Sequence, residues 1–207
     1  MEGLQTIEMV IEDEATNGVS ALSLVEKPAN EDETVLLSQD NQAIQLSEVM
    51  ESNEVIELAQ VDEEQQLIMG LILEPNKPIY RRNGEKEYNI IFSENTVKKA
   101  AHLYMKNLNN NNATLDHKEK VDGVSLVETW LVRDPKRDAS NVFGKEYKKG
   151  AWACVLKVHN KDQWEEYKEN GTTNISLEGV FKPKKQEQKS ELESKLSMLK
   201  SIAKDLK

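Results

Sequence analysis

Residues 124–132 read VSLVETWLV, and strict alternation along them puts Val124, Leu126, Glu128, Trp130 and Val132 on one face of a strand. Four of these five are apolar. The fifth is a carboxylate, which is costly to bury unless something pairs with it. Either the face lies at an edge where Glu128 reaches water, or an imidazole N–H is its partner. Just upstream, ATLDHKEK (113–120) follows an asparagine run and places His117 in a loop directly before the strand. A rigid sheet can hold a working group at such a point, although a plain surface histidine fits the same position.

Outward from this strand, AWACVLKV (151–158) and TNISLEGVF (173–181) are also strand-like, with the charged loop RDPKRDASNVFGKEYKKG (133–150) before the first of them. Asn160 with Gln163 marks a helix start and Gly171 its stop. On the other side, LIMGLILEP (67–75) is an apolar run ended by Pro75, and PIYRRNGEKEYNIIF (78–92) is a turn at Asn83-Gly84 leading into a strand. Ser93 then caps a helix whose Val97, Ala100, Ala101, Tyr104 and Leu108 share a face. Mixed strands with few helices predict an α+β fold, a small mixed, mostly antiparallel β-barrel or curled sheet flanked by helices.

Charge divides the 207 residues further. Residues 1–66 hold 17 acidic side chains and one basic, Lys27, and no aromatic; the rest of the chain holds 20 acidic and 26 basic. A segment so acidic cannot bury much core alone. It is read as an N-terminal extension, a disordered tail or a pro-segment or docking segment, although its apolar runs GVSALSLV and VIELAQV can pair with something else. Residues 67–182 form the core unit. Residues 183–207 form a separate helix, whose Leu192, Leu196, Leu199, Ile202 and Leu206 make a narrow apolar stripe that needs a partner.

The net charge of −10 argues against a general nucleic-acid or anionic-membrane binder. No run approaches the ~18 apolar residues of a membrane span, and the N-terminus lacks the regions of a signal peptide. The single cysteine, Cys154, leaves no internal disulfide and no Cys-based zinc site. These features predict a soluble intracellular protein.

Three histidines are available for chemistry. His102 falls off the apolar stripe of its helix, and His159 sits at a strand end where capping or surface placement suffices. His117 remains. A hydroxyl partner is offered by Ser176 in NISLEGVF, where Ser176 and Glu178 point to one side and Gly179 leaves the backbone open for a substrate chain. Spacing alone does not choose between a Ser-His-Glu site and coincidence.

The ordered succession of an apolar strand, PIYRRNG, FSENTVKKAAHLYMKN, a histidine after a polar connector, SLVETWLV, GAWACVLKV, a short helix and NISLEGVF resembles the prohead (capsid maturation) proteases of tailed phages, a family related to the herpesvirus assemblins. The upstream GVSALSLVEKPA is similar to the opening of one branch of these enzymes. The resemblance implies a herpesvirus-protease-like fold and a serine endopeptidase with Ser176 as nucleophile, His117 as catalytic histidine and Glu128 as third member, with Asp116 and Glu178 as further acidic candidates. It implies no metal or organic cofactor. Phage scaffold protein and major capsid protein are the implied substrates, together with the chain itself by autocleavage, inside the immature prohead in the host cytoplasm. The alternative is a non-catalytic assembly or scaffold-binding protein with the same fold.

Overall fold

A computed structural model of the chain describes residues 4–26, 35–38, 43–44, 64–83 and 85–184. The turn residue Gly84, most of the acidic stretch between 27 and 63 and the leucine stripe of the tail lie outside the described residues. The strands are β1 (Gln5–Val10), β2 (Gly18–Val25), β3 (Val35–Ser38), β4 (Ala43–Ile44), β5 (Glu64–Leu73), β6 (Ile79–Asn83), β7 (Lys86–Phe92), β8 (Ala113–Leu115), β9 (Glu119–Val121), β10 (Val124–Leu131), β11 (Trp152–Val158), β12 (Asn174–Val180) and β13 (Lys182–Pro183). The helices are α1 (Glu94–Lys106) and α2 (Lys161–Glu169).

The fold is α+β and mostly strand, as expected, but the strands form three sheets and none of the described ones closes into a barrel. Their orders are β13-β1-β7-β6, β10-β11-β5-β3-β4 and β12-β2-β8-β9. Pairing is antiparallel except where β1 meets β7 and β2 meets β8. The sheets share one core with α1, in which Trp152 and Tyr104 meet edge to face with ring centroids 5.7 Å apart. The Trp152 indole N–H, which needs a partner once buried, donates to Thr129 Oγ1 at 2.6 Å.

Helix α1 starts after Ser93, as the sequence predicts, and buries Val97, Ala100, Ala101, Leu103 and Tyr104. Leu108 does not join that face. The helix ends at Lys106, and Leu108 turns into a left-handed conformation that leaves it 80% exposed. Helix α2 is capped by the Asn160 side chain, which accepts from the N–H groups of Asp162 and Gln163. Gly171 follows its end at φ +68°, a conformation glycine adopts without strain.

Strand β10 departs from strict alternation. Leu126 pairs with Leu156 and Glu128 with Val155, so Val127 is an extra residue and the pairing slips by one. Val124 and Leu126 therefore face the main core, whereas Trp130 and Val132 pack into a second cluster with Met69, Tyr147 and Val155. Glu128 is exposed. The single apolar face expected for 124–132 is split in two by this bulge.

The expected boundary at residue 66 does not separate an extension from a core. Leu22 and Leu24 of β2 are buried among the central residues, and β2 lies between β12 and β8. The apolar run GVSALSLV finds its partners inside the fold. Few large side chains are needed for this, because a strand flanked on both edges is covered by its neighbours.

Candidate active site

Strands β12, β2 and β8 bring three hydroxyl side chains into one row. Ser176 pairs with Ser23, and Ser23 with Thr114. Residues directly opposite on neighbouring strands point to the same side, so the row stands together. The alternate residues Ile175, Leu22, Leu24 and Ala113 face the core. Glu178, two residues beyond Ser176, shares the hydroxyl face.

His117 arrives over this row from the β8–β9 hairpin. Asp116 and His117 both have left-handed backbones, φ 48° and 58°, and Lys118 N–H donates to Leu115 O at 2.9 Å. This is a tight turn with positive φ at both central positions, set in a three-residue connection between the paired Leu115 and Glu119. Aspartate and histidine tolerate that region better than most residues. The turn is pinned to β2 by two bonds, Asp116 N–H to Leu24 O at 2.9 Å and His117 N–H to Ser23 Oγ at 3.0 Å.

The imidazole Nδ1 lies 3.2 Å from Glu178 Oε1. The same carboxylate oxygen accepts a short hydrogen bond from Thr114 Oγ1. An ionised carboxylate only accepts; against one, Nδ1 is the donor, and a neutral ring then has its lone pair on Nε2. The His117 and Glu178 side chains are 42% and 30% exposed, so water reaches the pair. Ser176 is 8% exposed and Ser23 is fully buried. Of the two serines, Ser176 is the one that retains access, and Ser23 Oγ is already engaged with the His117 backbone.

Sequence reasoning placed Ser176 and His117 on elements that the fold brings to one sheet. Glu128 is not brought to them. It projects from β10 in another sheet, lines a shallow cavity with Met105, Leu126 and Thr129, and the imidazole partner is Glu178 instead. Asp116 sits in the turn itself, with Lys118 at 4.0 Å. His159 Nε2 contacts Ser125 Oγ at 3.1 Å, and His102 is exposed on α1. The signal for Glu178 was present in the alternation of NISLEGVF, which put it on the serine's side. Nothing local showed that the β8–β9 turn would carry His117 across to it.

Gly179 has a different role from the expected opening for substrate. The β12–β2 register shifts between Glu178 and Gly179. A Cβ at 179 would collide with Gly18 O and come within 2.9 Å of Val19 Cα. Glycine is needed here for close approach of β2. A roomier cavity of about 980 Å³ lies between α1 and β10, lined by Lys98, His102, Trp130 and Arg133 among others, and none of Ser176, His117 or Glu178 borders it.

A hydroxyl, an imidazole and a carboxylate gathered on one sheet face, with the carboxylate on Nδ1, are the components that Ser-His-acid acyl transfer uses. The chain belongs to the family described as "Putative phage serine protease XkdF", which matches residues 54–184. No curated protein and no solved structure matches the chain.

Proposed function

We propose that the chain is a serine endopeptidase of phage capsid maturation in which Ser176 is the nucleophile, His117 the general base and Glu178 the third member. The observation that carries this reading is the His117 Nδ1–Glu178 contact, made over a sheet on which Ser176 is one strand away from the residue anchoring His117. Family membership supports the reaction class.

In the reaction, Ser176 Oγ attacks the scissile carbonyl carbon while its proton passes to His117 Nε2. The tetrahedral adduct collapses as Nε2 returns the proton to the leaving amine, and an acyl-enzyme ester remains on Ser176. Water, deprotonated by the same nitrogen, then hydrolyses the ester and restores the hydroxyl. Glu178 holds the ring in the Nδ1–H form and stabilises the imidazolium, and Thr114 fixes the carboxylate. The substrates are the scaffold and major capsid proteins and the chain itself, within the immature prohead. Kinship with the herpesvirus assemblins belongs to the same reading.

The test is intact mass over time for wild type and Ser176→Ala, each co-expressed with its scaffold and capsid proteins. Loss of a nucleophile costs about 10⁴-fold or more, so wild type shortens its partners while the variant leaves them whole. If both leave them intact and capsids still assemble, the chain is a non-catalytic assembly protein.

A further inference from the structure

The catalytic turn is held by a residue that lies outside the span shared with the family. The family match begins at residue 54, whereas β2 spans Gly18–Val25. From β2, Ser23 Oγ accepts the backbone N–H of His117 at 3.0 Å. Its own proton is directed to backbone carbonyls, Thr114 O at 3.4 Å or Leu24 O at 3.5 Å. Ser23 is fully buried and stands in register between Ser176 on one side and Thr114 on the other.

A small polar side chain at the centre of a sheet, sealed from water, calls for a specific partner. Here the partner is an N–H that the hairpin cannot satisfy itself. The β8–β9 turn closes through Lys118 N–H and Leu115 O, and the left-handed His117 directs its own N–H toward β2 instead. The hydroxyl thus sets the height and tilt of the turn above the row. Tilt decides whether Nδ1 meets Glu178.

We infer that Ser23 is a positioning residue for His117, so that the active site is assembled from two separate parts of the chain, β2 and the segment 113–178. The inference rests on the proposed Ser176–His117–Glu178 chemistry for its effect on rate, and on geometry alone for its effect on the ring. The hydrogen bonds of the Ser23 hydroxyl go to backbone groups. Its contribution passes through the backbone of His117.

The experiment compares wild type, Ser23→Ala and Ser23→Thr, with the His117 ring read by nitrogen-15 NMR (assigned with His117→Gln) and turnover read by intact mass. In wild type the ring is in the Nδ1–H form. In Ser23→Ala, loss of one hydrogen bond is expected to mix in the Nε2–H form and slow cleavage about ten- to thirtyfold, with the amide spectrum elsewhere unchanged. Ser23→Thr, which keeps an oxygen acceptor, restores the wild-type tautomer. If Ser23→Ala unfolds the chain, restoration of both fold and tautomer by threonine supports the inference, and a folded threonine variant with a displaced ring overturns it. A ring signal and rate in Ser23→Ala equal to wild type also overturn it. A changed ring signal with an unchanged cleavage rate leaves the positioning role standing and removes His117 from the chemistry.

Discussion

Replacing Glu178 and Glu128 separately by glutamine asks which carboxylate serves His117. The contact is 3.2 Å, and opposite unit charges at that distance attract by about 1.3 kcal/mol in bulk water and about 5 kcal/mol at an effective dielectric of 20. The side chains are 42% and 30% exposed, so screening puts the pair at the watery end, about 1 kcal/mol. The attraction is strongest once His117 has taken up the serine proton, so this loss falls on the barrier and slows cleavage about fivefold. Glu128→Gln, in a different sheet, stays within about twofold of wild type. The assay is the initial rate at which each variant shortens the co-expressed scaffold and capsid proteins, with thermal midpoints measured alongside to exclude unfolding. If Glu128→Gln is the slower variant, or if Glu178→Gln cuts as fast as wild type, assignment of the third member from the Nδ1 contact is refuted.

Other consequences concern stability. Gly179→Ala forces a methyl against Gly18 and Val19 and should cost about 1–3 kcal/mol of stability, read as a lower urea midpoint; unchanged stability would mean the strands can part freely there. Burial pushes the Cys154 thiol well above its usual range, so it should resist thiol reagents until the chain unfolds, and rapid labelling in native buffer would contradict its place in the core. The Lys184 ammonium, hydrogen-bonded to Glu8 at 2.7 Å, holds the Glu8 carboxyl below its ordinary value. A lowered folded-state value adds stability above the unfolded carboxylate range, near pH ~4.3, and loses it as pH falls through the folded value. Lys184→Met should therefore cost up to about 1 kcal/mol at pH 7, with the difference from wild type vanishing once the pH has fallen below the folded value; a constant difference across pH would place the effect elsewhere.

Elements with their own periodicity were legible in the sequence. The strands of 67–73, 151–158 and 173–181, the helix after Ser93 and the Asn160 cap emerge where expected, because each follows from local side-chain pattern. Ser176 and His117 could be named from a resemblance, and the strand of Ser176 and the side it shares with Glu178 from alternation. The single face read for 124–132 fails for a definite reason: one inserted residue, Val127, reverses the phase of β10, and alternation cannot reveal a bulge in advance. The role of β2 was hidden by composition. Its surroundings in 1–66 are acidic and free of aromatics, yet the strand itself is neutral and small, and its partner strands lie far along the chain. Non-local pairing leaves no mark at the level of a short window.

The pairing of Ser23 with Ser176 joins residues 176 − 23 = 153 positions apart. During synthesis at about 5–20 residues per second, β2 waits roughly 8–30 s for the strand that completes its sheet. Until then no emerging fragment holds serine, histidine and carboxylate together. Contacts of such long range also slow folding once the chain is complete. The order of the strands thus acts as a timer: this hydroxyl, imidazole and carboxylate come onto one sheet face only after residues 18 to 178 have been made and have folded.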